Sequence, residues 1–525
     1  MFLAKSAVPT LAALLLIATT GGLQAAETKS ADTQRPNLIV IVADDLGFSD
    51  IGCYGGEVAT PHLDRLASRG VRMIDFHNNA KCSETRASLL TGLWHQQSKN
   101  LAKPGHVTIA EVLRDAGYST MMSGKWHLAG TPPERGFDRF FGFLSGAINF
   151  FTGIDWQTGE NLMRLDRQEY VPPKDFYSTD AFTDYAIEFL NQARTKDQPY
   201  FLYLAHNAPH FPLHAPPEDI AKYRGRYDAG WDVIRSQRFA RMQSMGIIDG
   251  RWQLSLRDPR LEPWNALSQS QSEFLLPMME VYAAMIDRLD QNIGRLVADL
   301  EQHDELDNTL ILFFSDNGAC PYHRLRSEGV PPGPAESDFG YDARWANLSN
   351  TPLRLYKQYA HHGGTLTPMI AHWPRGLKDP GRITSYTGHL VDVMPTLLDL
   401  AGTEYPTQRG GRSVLPMEGV SMRPMLEGKE EREGPPIAWE FSVNHAIRIG
   451  QWKLVAERSK DWELYNIASD RSETKDLVES QPDTVRRLAE AYDRWARRAG
   501  ARSHADAARM KPSQQSQLFD ISEYK

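Results

Sequence analysis

Four short runs of apolar residues stop abruptly at polar ones, and each stop delivers reactive side chains. Residues 37–43 read Asn-Leu-Ile-Val-Ile-Val-Ala and end at Asp44 and Asp45. Residues 118–123 lead into Gly124, Lys125, Trp126 and His127, and residues 199–205 into His206, Asn207, Ala208, Pro209 and His210. Residues 309–314 run into Ser315, Asp316, Asn317 and Gly318. Uninterrupted apolar runs of this length predict strands buried on both faces, as in a parallel sheet covered by helices. Helical signals lie between them. Thr60 precedes Pro61 as a cap does, and Thr108 with Glu111 makes a capping-box pattern before a helix ending at Gly117. Longer periodic stretches run near 180–194, 276–302 and 390–401. Alternation of strand and helix from residue 36 to about 400 predicts a doubly wound α/β sheet.

Two segments depart from that pattern. Residues 215–275 are rich in Arg, Asp, Gln, Trp and Pro with weak periodicity, and read as an irregular excursion along one side of a crevice. From 436 onward short strands at 437–441, 446–449, 453–456 and 463–467, then a helix near 484–498, predict a smaller antiparallel α+β subdomain. Residues 499–525 are polar and read as a loose tail or an arm on a neighbouring subunit. At the other end, Lys5, the apolar stretch 11–19 and the small residues Ala25 and Ala26 read as a signal peptide over 1–26. Its apolar stretch is shorter than the ~20 residues a membrane span needs, so export to the periplasm or beyond is expected, with no membrane anchor. The main domain then covers 27–435 and the subdomain 436–498.

Composition narrows the function. With 41% hydrophobic and 24% charged residues over 525 positions, the chain can bury a large core. A net charge of -8 argues against a nucleic-acid partner, so an anionic substrate has to be drawn in by a local site. The cysteines are Cys53, Cys82 and Cys320, an odd number with no zinc-ligand spacing. Cys53 and Cys320 either pair or stay buried as thiols. Cys82 stands apart, because Arg86 lies one helical turn away and the two suggest a nucleophile beside an anion clamp.

Ligands collect at the carboxyl ends of strands in open α/β sheets, so the four stops should converge on one crevice. Asp44, Asp45, Asp316 and Asn317 form an all-oxygen set of the kind that calcium or magnesium prefers. Adjacent acids alone would serve equally as loop caps; the second acid–amide pair behind another strand favours metal. Arg86, Lys125 and Lys357 add three positive charges. Together, three carboxylates, a divalent ion and three cationic side chains leave a surplus of two positive charges, which suits a transferring sulfuryl or phosphoryl group. His127 and His210 are candidates for proton transfer, with His206 competing for the second role. Phe150, Phe151, Trp156 and Trp231 are available to stack on an aryl group or a sugar face.

Taken together these residues resemble the type I sulfatase family, from about residue 36 to 498, and in particular bacterial arylsulfatases. The resemblance rests on Pro36-Asn37 with Asp44 and Asp45, the element from Cys82 to Gly92, Gly124-Lys125-Trp126-His127, Ala208-Pro209-His210 and Ser315-Asp316-Asn317-Gly318. It extends to Lys357 before Gly363 and Gly364, the run from Tyr227 to Asp232, and Gly450-Gln451-Trp452-Lys453-Leu454-Val455. It implies an alkaline-phosphatase-like fold and a cysteine at position 82 oxidised to formylglycine by a maturing enzyme. A geminal diol there attacks sulfur and then expels sulfate by reforming its carbonyl, which a serine or thiol cannot do. It further implies that Asp44, Asp45, Asp316 and Asn317, with the side chain at 82, hold calcium. Asp316 accepts the diol proton, while Arg86 and His127 hold the diol. Lys125, His210 and Lys357 contact sulfate, with His210 or Lys357 protonating the leaving oxygen. The substrate implied is a sulfated small molecule or a sulfated glycan.

The chain departs from the family pattern at Glu84, where proline or alanine is usual, at Thr85, where serine is common, and at His362, where glutamate is usual. Two other readings stay open: a phosphate or phosphonate ester hydrolase on the same superfold, and a non-catalytic sulfated-glycan binder whose Cys82 stays a thiol because Glu84 blocks maturation.

Overall fold

Strand β1 (Asn37–Ala43) lies in the middle of an eleven-stranded sheet, and its alternating side chains feed two separate cores. Ile39, Ile41 and Ala43 point into one, Leu38, Val40 and Val42 into the other, and none is more than 1% exposed. That is why the run reads as continuously apolar. Truncating one such Ile or Leu to Ala costs ~2–5 kcal/mol, because the cavity cannot collapse between two packed layers.

The computed structural model describes residues 35–509, except 99, 100, 102–104, 325, 326, 328, 433 and 458–460. The expected signal peptide and residues 510–525 of the expected tail lie outside the described residues. Across the sheet the order is β10 (Ile383–Thr384), β2 (Val71–His77), β9 (Leu366–His372), β8 (Thr309–Ser315), β1, β7 (Tyr200–Ala205), β3 (Ser119–Lys125), β4 (Arg139–Phe143), β5 (Met163–Leu165) and β6 (Gln168–Glu169). A short β11 (Gly388–His389) also pairs with β2. Strands β8, β1, β7, β3 and β4 are mutually parallel, whereas β9 runs antiparallel to β8 and β2. The sheet is therefore mixed and mostly parallel. Helices Pro61–Ser68, Ser178–Arg194 and Gln269–Gln302 cover one face; Cys82–Thr91, Ile109–Asp115 and Val393–Ala401 cover the other.

Local signals set the helix starts unevenly. Thr108 and Glu111 exchange the two bonds of a capping box, at 3.1 and 2.8 Å. Thr60 does not cap: its hydroxyl accepts from Gly52 N, and the Asp290 carboxylate takes the free N–H groups of His62 and Leu63 instead. Residues 215–275 are less irregular than their sequence suggests, since Gly230–Ser244 is a four-turn helix. Its buried face carries Trp231, Ile234, Arg235, Arg238 and Met242. Two arginines on that face hide the apolar period. Arg238 is neutralised by Asp50 and Glu57 at 2.9 and 2.7 Å, and Arg235 donates to Ser255 O at 2.6 Å.

After a minimal hairpin of β12 (Gln408–Arg409) and β13 (Arg412–Ser413) comes an antiparallel sheet of β14 (Ile437–Phe441), β15 (Asn444–Ile449), β16 (Trp452–Ala456) and β17 (Trp462–Asn466). Helix Pro482–Ala499 lays Leu488, Tyr492, Trp495 and Ala496 on it. The following residues are docked rather than loose: Arg502 O accepts from Tyr492 OH, and His504 meets His445 at 2.7 Å. All three cysteines are buried and free, so Cys53 and Cys320 do not pair.

Candidate active site

Parallel register brings the four polar stops to one edge of the sheet. Ala43 lies opposite Ser315, and Ala205 opposite both Val42 and Gly124. The next residues along β1 and β8 are Asp44 and Asp316, while Lys125 is the last residue of β3 itself, two positions later than the apolar run predicts. Gly124 makes this possible: its φ is +112°, and a Cβ there would sit 1.9 Å from Ala205 O. Cys82 opens a ten-residue helix just beyond β2, and Lys357 arrives from the loop before the short helix His362–Thr365 that leads into β9.

Each acid has one close cation, and Arg86 Nη2 also lies 3.9 Å from Asp44 Oδ2. Lys125 Nζ donates to Asp44 Oδ2 at 2.6 Å, Arg86 Nη2 to Asp316 Oδ2 at 2.9 Å, and Lys357 Nζ to Asp45 Oδ1 at 2.5 Å. All six side chains are at most 1% exposed. Arg86 also donates to Lys125 O at 2.8 Å and Tyr203 OH at 3.3 Å. Cys82 is 2% exposed and lies within electrostatic reach of both Arg86 and Lys357. His127, at a positive φ of 54°, lies within the fields of Lys125, Arg86 and Asp44. Gly146 makes room for it, because a Cβ there would come 2.9 Å from His127 Nε2.

Burial opposes charge throughout this site, and pairing decides each outcome. Burial raises the Asp45 carboxyl, yet the Lys357 ammonium and the Asn317 amide outweigh it and hold the group well below the carboxylate range. Asp316 goes the other way, pushed up to about 6 by burial and by the neighbouring Asp44 charge in spite of Arg86. Burial also pushes His210 and His127 well below the usual imidazole range.

Three oxygens fit a hard cation. Asp44 Oδ1, Asp45 Oδ2 and Asn317 Oδ1 are buried with no hydrogen-bond partner among the described residues, a costly state that a divalent ion would relieve. Asp44, Asp45 and His210 can each bring one ligand atom within 4.8 Å of the others. Asp316 is more occupied than its sequence suggests, since its two oxygens accept from Arg86 and from Asp45 N.

All ten side chains singled out from the sequence, Asp44, Asp45, Cys82, Arg86, Lys125, His127, His210, Asp316, Asn317 and Lys357, meet here. Others do not. His206 is fully buried beside Phe182, neither ring nitrogen has a partner among the described residues, and burial pushes it down to about 3. Trp231 packs on Trp264 and Trp345, and Phe150 on Tyr177 and His214, whereas Trp156 sits against Phe211 next to His210. His362 turns away and binds Arg471 O. Sequence reasoning missed Tyr203 and Asn79, and noted Thr85 only as a departure from the family pattern. Asn79 donates to Glu84 O and Ser88 Oγ, and Thr85 donates to Asp316 O at 2.6 Å, fastening the Cys82 helix to the site.

A mixed, mostly parallel sheet with paired acids, cations and a helix-borne cysteine at its carboxyl edge defines a hydrolase for anionic esters. The sulfatase family model matches residues 36–403, and the model of the C-terminal region of N-sulphoglucosamine sulphohydrolase matches 354–492. The chain belongs to the type I sulfatase family and is a sulfuric ester hydrolase. It is 36% identical to an arylsulfatase of Klebsiella aerogenes over 76% of this chain and 94% of that one. An uncharacterized sulfatase of Schizosaccharomyces pombe is 34% identical over 88% of this chain and 94% of its own. Among solved structures, Ps i-CgsB in complex with a neocarrahexaose aligns with a TM-score of 0.64 at 26% identity, covering 93% of this chain and 96% of that one.

Proposed function

We propose that this chain hydrolyses sulfate esters of aromatic or sugar alcohols using formylglycine made from Cys82 and one calcium ion. The observation that carries the reading is the charge pattern: every acid already has its own cation, while three buried oxygens stay bare. One divalent ion satisfies those oxygens and leaves a positive pocket for one sulfate group. A single oxygen-ligand set suits a sulfatase better than a two-metal phosphatase.

When present, formylglycine supplies the nucleophilic hydroxyl and calcium polarises the sulfate oxygens. The chain's own residues do the rest. Lys125 and Lys357 hold the sulfate oxygens by charge-assisted hydrogen bonds. Arg86, fixed on Lys125 O and Tyr203 OH, keeps the side chain at 82 oriented. Asp316, whose carboxyl is raised toward neutrality, accepts a proton from the attacking hydroxyl. Lys357 donates one to the leaving oxygen. Overall, water adds across the sulfur–oxygen bond, giving alcohol and sulfate.

Support for the substrate class comes from the arylsulfatase relative, from the carrahexaose-bound neighbour, and from a further neighbour of this fold solved with D-glucosamine-2-N,6-O-disulfate. Export rests on the leader read in residues 1–26. The test is parallel turnover of an aryl sulfate and the matching aryl phosphate by wild type and Cys82→Ala. Sulfate turnover that Cys82→Ala abolishes is expected; phosphate turnover that survives it would overturn the reading.

A further inference from the structure

Lys81, immediately before the nucleophile position, is a fourth cation that the pairing scheme leaves over. Arg86, Lys125 and Lys357 are at most 1% exposed and each has its own aspartate. Lys81 is only partly buried, so it lies on the solvent side of that group. Among the described residues no carboxylate comes within 4 Å of its ammonium, which instead donates to Tyr322 OH at 3.4 Å and lies 5.5 Å from the centre of that ring. Glu84, the nearest acid in sequence, accepts from Ser83 Oγ at 2.6 Å.

Lys81 stands beside a wall of aromatic rings. Lys357, which holds Asp45, lies 5.6 Å from the centre of the same Tyr322 ring. Tyr322 and Phe211 line a cleft that also reaches Asp45, with their rings 6.2 Å apart. Beyond Phe211, Trp156 carries the Arg324 guanidinium at 4.0 Å, and that cation is already neutralised by Asp338 at 2.7 Å. A ring seated on this wall, with its sulfate ester among the buried cations, would present its substituents to Lys81.

Charge bookkeeping gives the ligand. A divalent ion leaves the buried set with two surplus positive charges, and a monoanionic ester cancels one of them. Lys81 adds one more positive charge, opposed among the described residues only by the Glu84 carboxylate acting on it from beyond hydrogen-bond distance. We propose that Lys81 is a specificity-determining residue that binds a second oxyanion, carboxylate or sulfate, carried on the ring of the leaving group. A charge-assisted bond at a partly buried site discriminates strongly against an uncharged analogue. The inference rests on the sulfate-ester reading of the site.

The test compares 4-(sulfooxy)benzoate with its methyl ester, and glucosamine disulfate with the monosulfate, in wild type, Lys81→Met and Lys81→Arg. Because Lys81 adjoins the modified position, the Cys82 peptide is checked by mass in each. The ratio of kcat/KM, charged over uncharged, is expected to be roughly tenfold or more in wild type, near one in Lys81→Met, and largely restored in Lys81→Arg. The benzoate and disulfate arms report which oxyanion is preferred. A ratio near one in wild type for both pairs, or a high ratio that survives Lys81→Met, would overturn the proposal. Calorimetry in a Cys82→Ala background reads the same preference as binding without turnover. Preference without hydrolysis in the wild type would count against the reaction, whereas loss of preference counts against Lys81.

Discussion

Lys357 and His210 flank the same carboxylate, and their hydrogen bonds give them different work. His210 Nδ1 faces Phe211 O at 2.5 Å, and a carbonyl only accepts, so this nitrogen carries the ring hydrogen. The neutral ring then turns a bare Nε2 toward Asp45 Oδ2 at 3.5 Å. Burial disfavours the Lys357 ammonium, but the Asp45 charge more than offsets it and holds the group well above the usual lysine range. In the proposed reaction Lys357 therefore carries the proton to be given, and His210 stands as an acceptor. Lys357→Met should lower kcat ~10²–10³-fold for phenyl sulfate, whose leaving oxygen needs a proton, and much less for 4-nitrophenyl sulfate. Steady-state kinetics with both esters checks this; equal losses would contradict the assignment.

At the scale of elements, the long helix Gln269–Gln302 and the helix Gly230–Ser244 hold the loop that carries Asp45. Asp45 has a φ of 68°, a left-handed conformation that costs a non-glycine residue ~1–3 kcal/mol unless its neighbours enforce it. Tyr282 OH contacts both Asp45 O at 3.1 Å and Asp50 Oδ2 at 2.8 Å, and Gly47 N donates to that same oxygen. Arg238 closes the arrangement on Asp50 Oδ1. Tyr282→Phe, which removes one hydroxyl, should leave the fold intact and raise the calcium Kd ~10-fold by calorimetry. An unchanged Kd would mean the hydroxyl does not orient Asp45. The same elements mark the limit of what the sequence discloses. Strand ends bearing Asp44, Lys125 and Asp316 are legible because a buried parallel strand has a simple apolar signature. The support is not, because Asp50 meets Arg238 and Tyr282 across 188 and 232 positions, and arginines on a buried face read as solvent-exposed.

Across the whole molecule, the C-terminal sheet fastens both segments that deliver chemistry. Trp439 Nε1 donates to Asn78 O at 2.8 Å, just ahead of Cys82, and Arg448 binds Asp75 on β2. On the other side Arg354 donates to Tyr465 OH, and His361 Nε2 meets Glu463 at 3.2 Å, bracketing Lys357. Burial raises the Glu463 carboxyl, but its bonds to His361 and Tyr465 and the Arg354 charge bring it from 4.5 down to about 2. A depressed acid contributes stability above its unfolded pKa and loses it as pH falls through the folded one. Glu463→Gln should thus be less stable than wild type by ~1–3 kcal/mol at pH 7, with the gap closing between about pH 4.5 and 2. Denaturant unfolding at several pH values checks it, and a gap independent of pH would refute the pairing.

Everything assigned to the paired acids and cations depends on what stands at position 82. The most direct measurement is the mass of the Cys82 peptide from active enzyme purified from its own host. The account predicts a peptide that has lost sulfur and two hydrogens and gained one oxygen. An intact thiol in enzyme that turns over sulfate esters would contradict it.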